Sequence, residues 1–118
     1  MMDRMRHAGL PAQRLIATEA RHMYWTVAQI LAHHTSNGCN LRPGDLLGTG
    51  TISGPTPGEV GSLLELAAGG SAPISLPGGE TRAFLEDGDE VVFTAKATAP
   101  GRVAIGFGDC RARILAAP

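Results

Sequence analysis

Large anchoring side chains are scarce in this sequence: one Trp, one Tyr and three Phe make up 4% of its 118 residues, so any core must be built from aliphatic and small groups. Cysteine is scarcer still. Cys39 and Cys110 form no CxxC pair and have no histidine at zinc-finger spacing, which argues against a structural zinc motif and leaves them as expected reduced core thiols. No stretch approaches the ~20 consecutive apolar residues that span a bilayer, so no membrane partner is expected. The opening MMDRMRHAGL leads into no hydrophobic signal core, and Asp3 and Glu19 interrupt the Arg4, Arg6, Arg14, Arg21 series that would suggest a transit peptide. A cytoplasmic setting is the expectation. Basic excess is also missing: 10 Lys and Arg stand against 11 Asp and Glu, a formal charge of −1, which does not suit a nucleic-acid partner.

What the chain does have is turn chemistry. Sixteen glycines and eight prolines accompany 43% hydrophobic and 18% charged residues, the composition of about one small, β-rich domain of modest core. The one long helical pattern lies between Ala17 and Thr35, where Met23, Val27, Ile30 and Leu31 recur at three- and four-residue spacing and Asn37-Gly38 supplies a stop. His33 and His34 fall in its last turn. Adjacent helical residues point about 100° apart, so this pair is read as meeting the helix end or packing locally rather than as metal ligands. Beyond Gly38, turn signals recur at Pro43-Gly44, Gly54-Pro55, Pro77-Gly78-Gly79, Asp87-Gly88 and Pro100-Gly101. The runs between them, DLLGTGTIS, SLLELAA, TRAFL, EVVFTAKAT, RVAIGF and CRARIL, read as strands. The first twelve or so residues read as a frayed end.

Several apparent motifs have simpler readings. Gly48, Gly50 and Gly54 are spaced GxGxxxG rather than GxGxxG, and no P-loop lysine follows, so they mark close backbone approach rather than a nucleotide site. Glu86-Asp87-Gly88-Asp89-Glu90 lacks the ligand series of a calcium loop and reads as a hairpin turn. Ser53 and Ser62 sit in no GxSxG elbow, so neither reads as a nucleophile. Glu65, among the leucines of SLLELAA, needs either solvent or a partner; by alternation alone it would occupy the wet face of a strand.

The stretch MYWTVAQILAHHTSNGCNLRPGDLLGTGTISGPTPGEVGSLLEL, continuing through FLEDGDEVVFTA and IGFGDC, resembles the C-terminal part of the catalytic domain of the fumarylacetoacetase family. The likeness runs from Met23 to Leu115. It implies the mixed β-sandwich roll of that domain with one N-terminal helix, a homodimer, and a hydrolase that cleaves the carbon–carbon bond of a 1,3-diketo acid to fumarate and acetoacetate in tyrosine breakdown. It further implies that magnesium or calcium grips the diketone oxygens while a glutamate-activated histidine takes a proton from water. By the same resemblance, the glutamate of the GSxLEL motif falls on Glu65 as the histidine's catalytic partner, and the threonine of GTISGP falls on Thr51 as a substrate contact.

Family members carry the water-activating histidine, the metal carboxylates, and the Arg, Gln and Lys of the oxyanion site upstream of the MYW helix. This sequence shows none of them there, and His7, His22, His33 and His34 do not replace the missing histidine. The expectation is therefore a single partial domain over residues 1–118, with Met1-Met2 falling inside the parent's fold, no metal ligands of its own and no turnover alone. A non-catalytic β-rich binding or assembly module of the same fold is the rival reading. A hydratase, decarboxylase or acylpyruvate hydrolase of the same superfamily is a third, which the GTISGP stretch argues against.

Overall fold

The computed structural model describes residues 3–118; Met1-Met2, expected within the parent's fold, lie outside the described residues. The architecture is small, mixed α/β, with short helices and antiparallel strands: α1 Asp3–His7, α2 Val27–Thr35, α3 Leu63–Leu66, β1 Ile74–Ser75, β2 Thr81–Arg82, β3 Glu90–Ala97 and β4 Ile105–Arg113. Strands β1 and β2 form one two-stranded sheet and β3 and β4 another. The chain divides into two compact units, one formed by the segment up to Gln13 with Pro73–Pro118, the other by Arg14–Ala72.

In the first unit, the β1–β2 hairpin turns through Pro77-Gly78-Gly79. The positive φ of Gly78 and Gly79 (126° and 79°) is the reason glycine stands at both places. The long hairpin pairs Glu90 with Arg113 through Phe93 with Cys110, shifts register between Thr94 and Lys96, and ends with Ala97 opposite Ile105. EVVFTAKAT and CRARIL therefore do form paired strands. The acidic run is a turn leading into β3 rather than a hairpin: the Asp89 amide donates to the Glu86 carbonyl at 3.0 Å, and β2 and β3 belong to different sheets. Within the segment read as a frayed end, α1 buries Met5 to 1% exposure, and the Leu10 amide donates to the Met5 carbonyl. Met5 and Leu76 are the buried apolar side chains of this unit among the described residues. Phe93 and Phe107 remain 67% and 71% exposed.

In the second unit the expected long helix begins late. Residues Ala20–His22 form a single 3-10 turn, Met23 is extended, and α2 starts only at Val27. The cause is local: Thr26 caps the helix with a reciprocal box, its hydroxyl accepting the Gln29 amide at 3.2 Å while its own amide donates to Gln29 Oε1 at 2.9 Å. The helix closes at Ser36, and Gly38 takes φ 85° just beyond it. Two further corrections fall here. DLLGTGTIS pairs into no strand, and SLLELAA holds the helical turn α3 instead of a strand. Ser62 caps that turn by accepting the Glu65 amide at 3.2 Å, which outweighs the period-two alternation of SLLELAA.

Candidate active site

Both expected site residues lie in the second unit. The irregular segment from Thr49 to Ser53 turns at Gly50, whose φ of 76° lets the chain bend without strain. It runs directly against Gly61: a Cβ there would collide with the Thr51 methyl and stand 2.5 Å from the Ile52 carbonyl oxygen. Only a glycine admits this approach, which brings Ser53 over the start of α3.

Ser53 and Ser62 then converge on one carboxylate. The Ser53 hydroxyl accepts the Gly61 amide at 3.0 Å and donates to Glu65 Oε2 at 2.5 Å. The Ser62 hydroxyl donates to Glu65 Oε1 at 2.8 Å. Glu65 is exposed, on a helical turn rather than on a strand's wet face. The Ser53 hydroxyl first and the Ser62 hydroxyl second hold its carboxyl below the usual carboxylate range, with partial loss of water opposing them and the Gly61 backbone adding to them.

Thr51 and Ser53 also line an open pocket of about 210 Å³, whose lining includes Thr49, His22, Trp25 and Ile30. Trp25 meets Tyr24 edge to face, ring centroids 4.9 Å apart. His22 Nε2 is buried without a hydrogen bond, 3.7 Å from Glu59 Oε1. Ser53 thus joins the Thr51 pocket to Glu65, which is not itself on the pocket wall. Sequence alone marks neither Ser53 nor Ser62 as a nucleophile, since they sit in no GxSxG elbow. For Ser62 a signal existed, since Ser followed three residues later by Glu is a helix-start signature. For Ser53 there was none, because its partners lie eight and twelve residues away.

The remaining candidates are placed elsewhere. Both cysteines are free and exposed, so the expectation of core thiols is corrected: Cys110 lies on an uncovered hairpin, and Cys39 Sγ meets His34 Nε2 at 3.4 Å just past α2. His34 thus packs locally. Among the described residues, no three His, Cys, Asp or Glu side chains come together in a way that could hold a metal ion, so a divalent cation does not fit the groups described here. No described helix is long and apolar enough to cross a membrane.

A hydroxyl-held carboxylate and a threonine-lined pocket thus share Ser53 in this small α/β scaffold. The family model described as fumarylacetoacetate (FAA) hydrolase C-terminal matches residues 10–115. The chain belongs to that family. It is 56% identical over 98 residues to the fumarylacetoacetase of Arabidopsis thaliana, a match covering 83% of this chain and 23% of that protein. With the fumarylacetoacetase of Homo sapiens it shares 52% identity over 106 residues, 90% of this chain and 25% of the other. With that of Caenorhabditis elegans it shares 54% over 100 residues, 85% and 23% respectively. The chain spans about a quarter of the length of these relatives.

Proposed function

We propose that this segment works as the C-terminal part of a catalytic domain that hydrolyses the carbon–carbon bond of 4-fumarylacetoacetate, releasing fumarate and acetoacetate. The observation that carries the reading is Glu65, fixed at both oxygens by Ser53 and Ser62 next to a pocket that contains Thr51. The identity of about half the matched residues to fumarylacetoacetases supports it.

In this reading Glu65 holds and orients the imidazole of a histidine supplied from outside the segment and stabilises its charged form. That imidazole takes a proton from water, and the hydroxide adds to a substrate carbonyl. The carbon–carbon bond then breaks, its electron pair leaving on the acetoacetate carbon, which takes up a proton. Thr51 contributes a hydroxyl to the bound diketo acid. The magnesium or calcium implied by the family likeness would supply charge stabilisation to the diketone oxygens and would be held by residues other than those described here. The uncovered Phe93, Ile105 and Phe107 support a further part of the proposal, that the hairpin enters a larger β-rich roll and that the assembled enzyme is a homodimer.

Complementation is the test. Mixed with a segment of the family bearing the histidine and the metal carboxylates, the chain is expected to restore diketone hydrolysis, followed by loss of substrate absorbance. Glu65→Gln should lower that rate on the order of a hundredfold. The chain alone should turn over nothing. Full activity in Glu65→Gln, or turnover by the unmixed chain, overturns the reading.

A further inference from the structure

We propose that Ser53 and Ser62 are positioning residues, a pair of hydroxyls that fixes both oxygens of the Glu65 carboxylate and so sets the direction in which it meets the imidazole. The inference rests on the proposed role of Glu65 and adds to it the groups that make the role geometrically definite.

Each carboxylate oxygen has two acceptor directions. Ser53 takes one on Oε2 and Ser62 one on Oε1, and with the Gly61 backbone also donating toward the carboxylate, acceptor capacity remains for a single incoming ring N–H. Neither serine is free to turn away. Ser53 is held by the Gly61 amide and Ser62 by the Glu65 amide, so each hydroxyl oxygen accepts from backbone while its hydrogen goes to the acid. A carboxylate gripped on both oxygens loses the rotation about its last bond that would otherwise be frozen only when the histidine docks. The hydrogen-bond donors also favour the charged form needed to stabilise an imidazolium. The nearest carboxylate in the same stretch, Glu59, is engaged elsewhere: its Oε2 accepts the Thr56 hydroxyl at 2.9 Å and its Oε1 faces His22. Ser53 has a second consequence, because it lines the pocket that Thr51 lines. A ligand there would lie against the same residue that grips the acid.

Two readouts test the inference. In the chain itself, carbon-detected NMR titration of the Glu65 carboxyl should show its midpoint rise in Ser53→Ala and in Ser62→Ala, rise further in the double variant, and return in Ser53→Thr, which restores a hydroxyl. In the complemented enzyme, Ser53→Ala should lower kcat roughly tenfold, with the acid limb of the pH–rate profile displaced upward. Ser53→Thr should recover most of it. A titration midpoint unmoved by removing either hydroxyl overturns the clamp. A moved midpoint with an unchanged acid limb overturns the positioning role. Full activity in Glu65→Gln overturns instead the role assigned to Glu65 itself, so the two failures are told apart.

Discussion

Arg82 grips Asp89 at two points, Nε to Oδ2 at 3.0 Å and Nη2 to Oδ1 at 3.3 Å, with both residues buried. The Asp89 hydrogen bond is the foremost reason the guanidinium holds its proton more tightly than usual, against the opposing effect of burial and with Glu86 and Glu80 adding to it. Asp89 also accepts the Glu86 amide at 2.9 Å and, through its carbonyl, the Ile114 amide at 2.8 Å. The pair therefore ties the end of β2 to the turn that starts β3 and to the residue after β4. Arg82→Leu strands Asp89 as an unpaired buried charge and should destabilise the chain by about 3 kcal/mol in urea unfolding. Arg82→Lys, which keeps the charge but loses the fork, should fall between. A loss below about 0.5 kcal/mol for Arg82→Leu would show that the pair is not holding this unit together.

The close approach at Gly61 makes a second prediction. Gly61→Ala drives a methyl into the Thr51 side chain and the Ile52 carbonyl, and should cost roughly 1–3 kcal/mol while breaking the Ser53–Glu65 contact. Gly58→Ala, where an added Cβ meets nothing within 4 Å, is the control. Equal melting temperatures for the two variants would mean that the segment does not pass over Gly61 as described.

Stability should also carry a pH signature from Glu65. Its folded-state carboxyl is held below the ordinary range by Ser53 and then Ser62, so the unfolded chain binds a proton more readily. The stabilisation is thus present above the ordinary carboxylate range and disappears as pH falls through the depressed folded value. Wild type minus Glu65→Gln, measured by denaturant unfolding at stepped pH, should shrink toward zero on acidification. A difference that is flat or grows toward acid would contradict the sign.

Met5, 1% exposed, is the most buried large apolar side chain of the first unit. Met5→Ala should cost about 2–5 kcal/mol, and Met5→Leu less than about 1.5 kcal/mol. If Met5→Ala melts like wild type, α1 does not pack as described.

Strand alternation and turn residues make the long hairpin legible in the sequence. EVVFTAKAT and CRARIL read correctly as strand over Glu90–Ala97 and from Cys110 to Arg113, because turn residues at Asp87-Gly88 and Pro100-Gly101 bound the hairpin and cross-strand pairing needs little else. Periodicity misleads where a single side chain overrules it. Met23, Tyr24 and Trp25 extend the apolar stripe of α2, yet Thr26 with Gln29 starts the helix after them. Ser62 likewise converts an alternating SLLEL into a helical turn. Both caps are visible in sequence as Thr or Ser followed three residues later by Gln or Glu. The Thr51–Gly61 approach and the Ser53–Glu65 bond were not visible, because they depend on two segments meeting in space. The exposure of Cys39 and Cys110 was equally hidden, since composition says what can be buried and not which faces find cover.

Ser62 engages the same residue twice, through the backbone N–H of Glu65 and through its acid group. Winding of that single coil and aiming of the acid are therefore one event. One oxygen of the carboxylate is thus placed by four neighbouring positions as soon as they curl, and the other waits for Ser53. One atom lost at Ser62 therefore loosens the coil and its hold on the acid together.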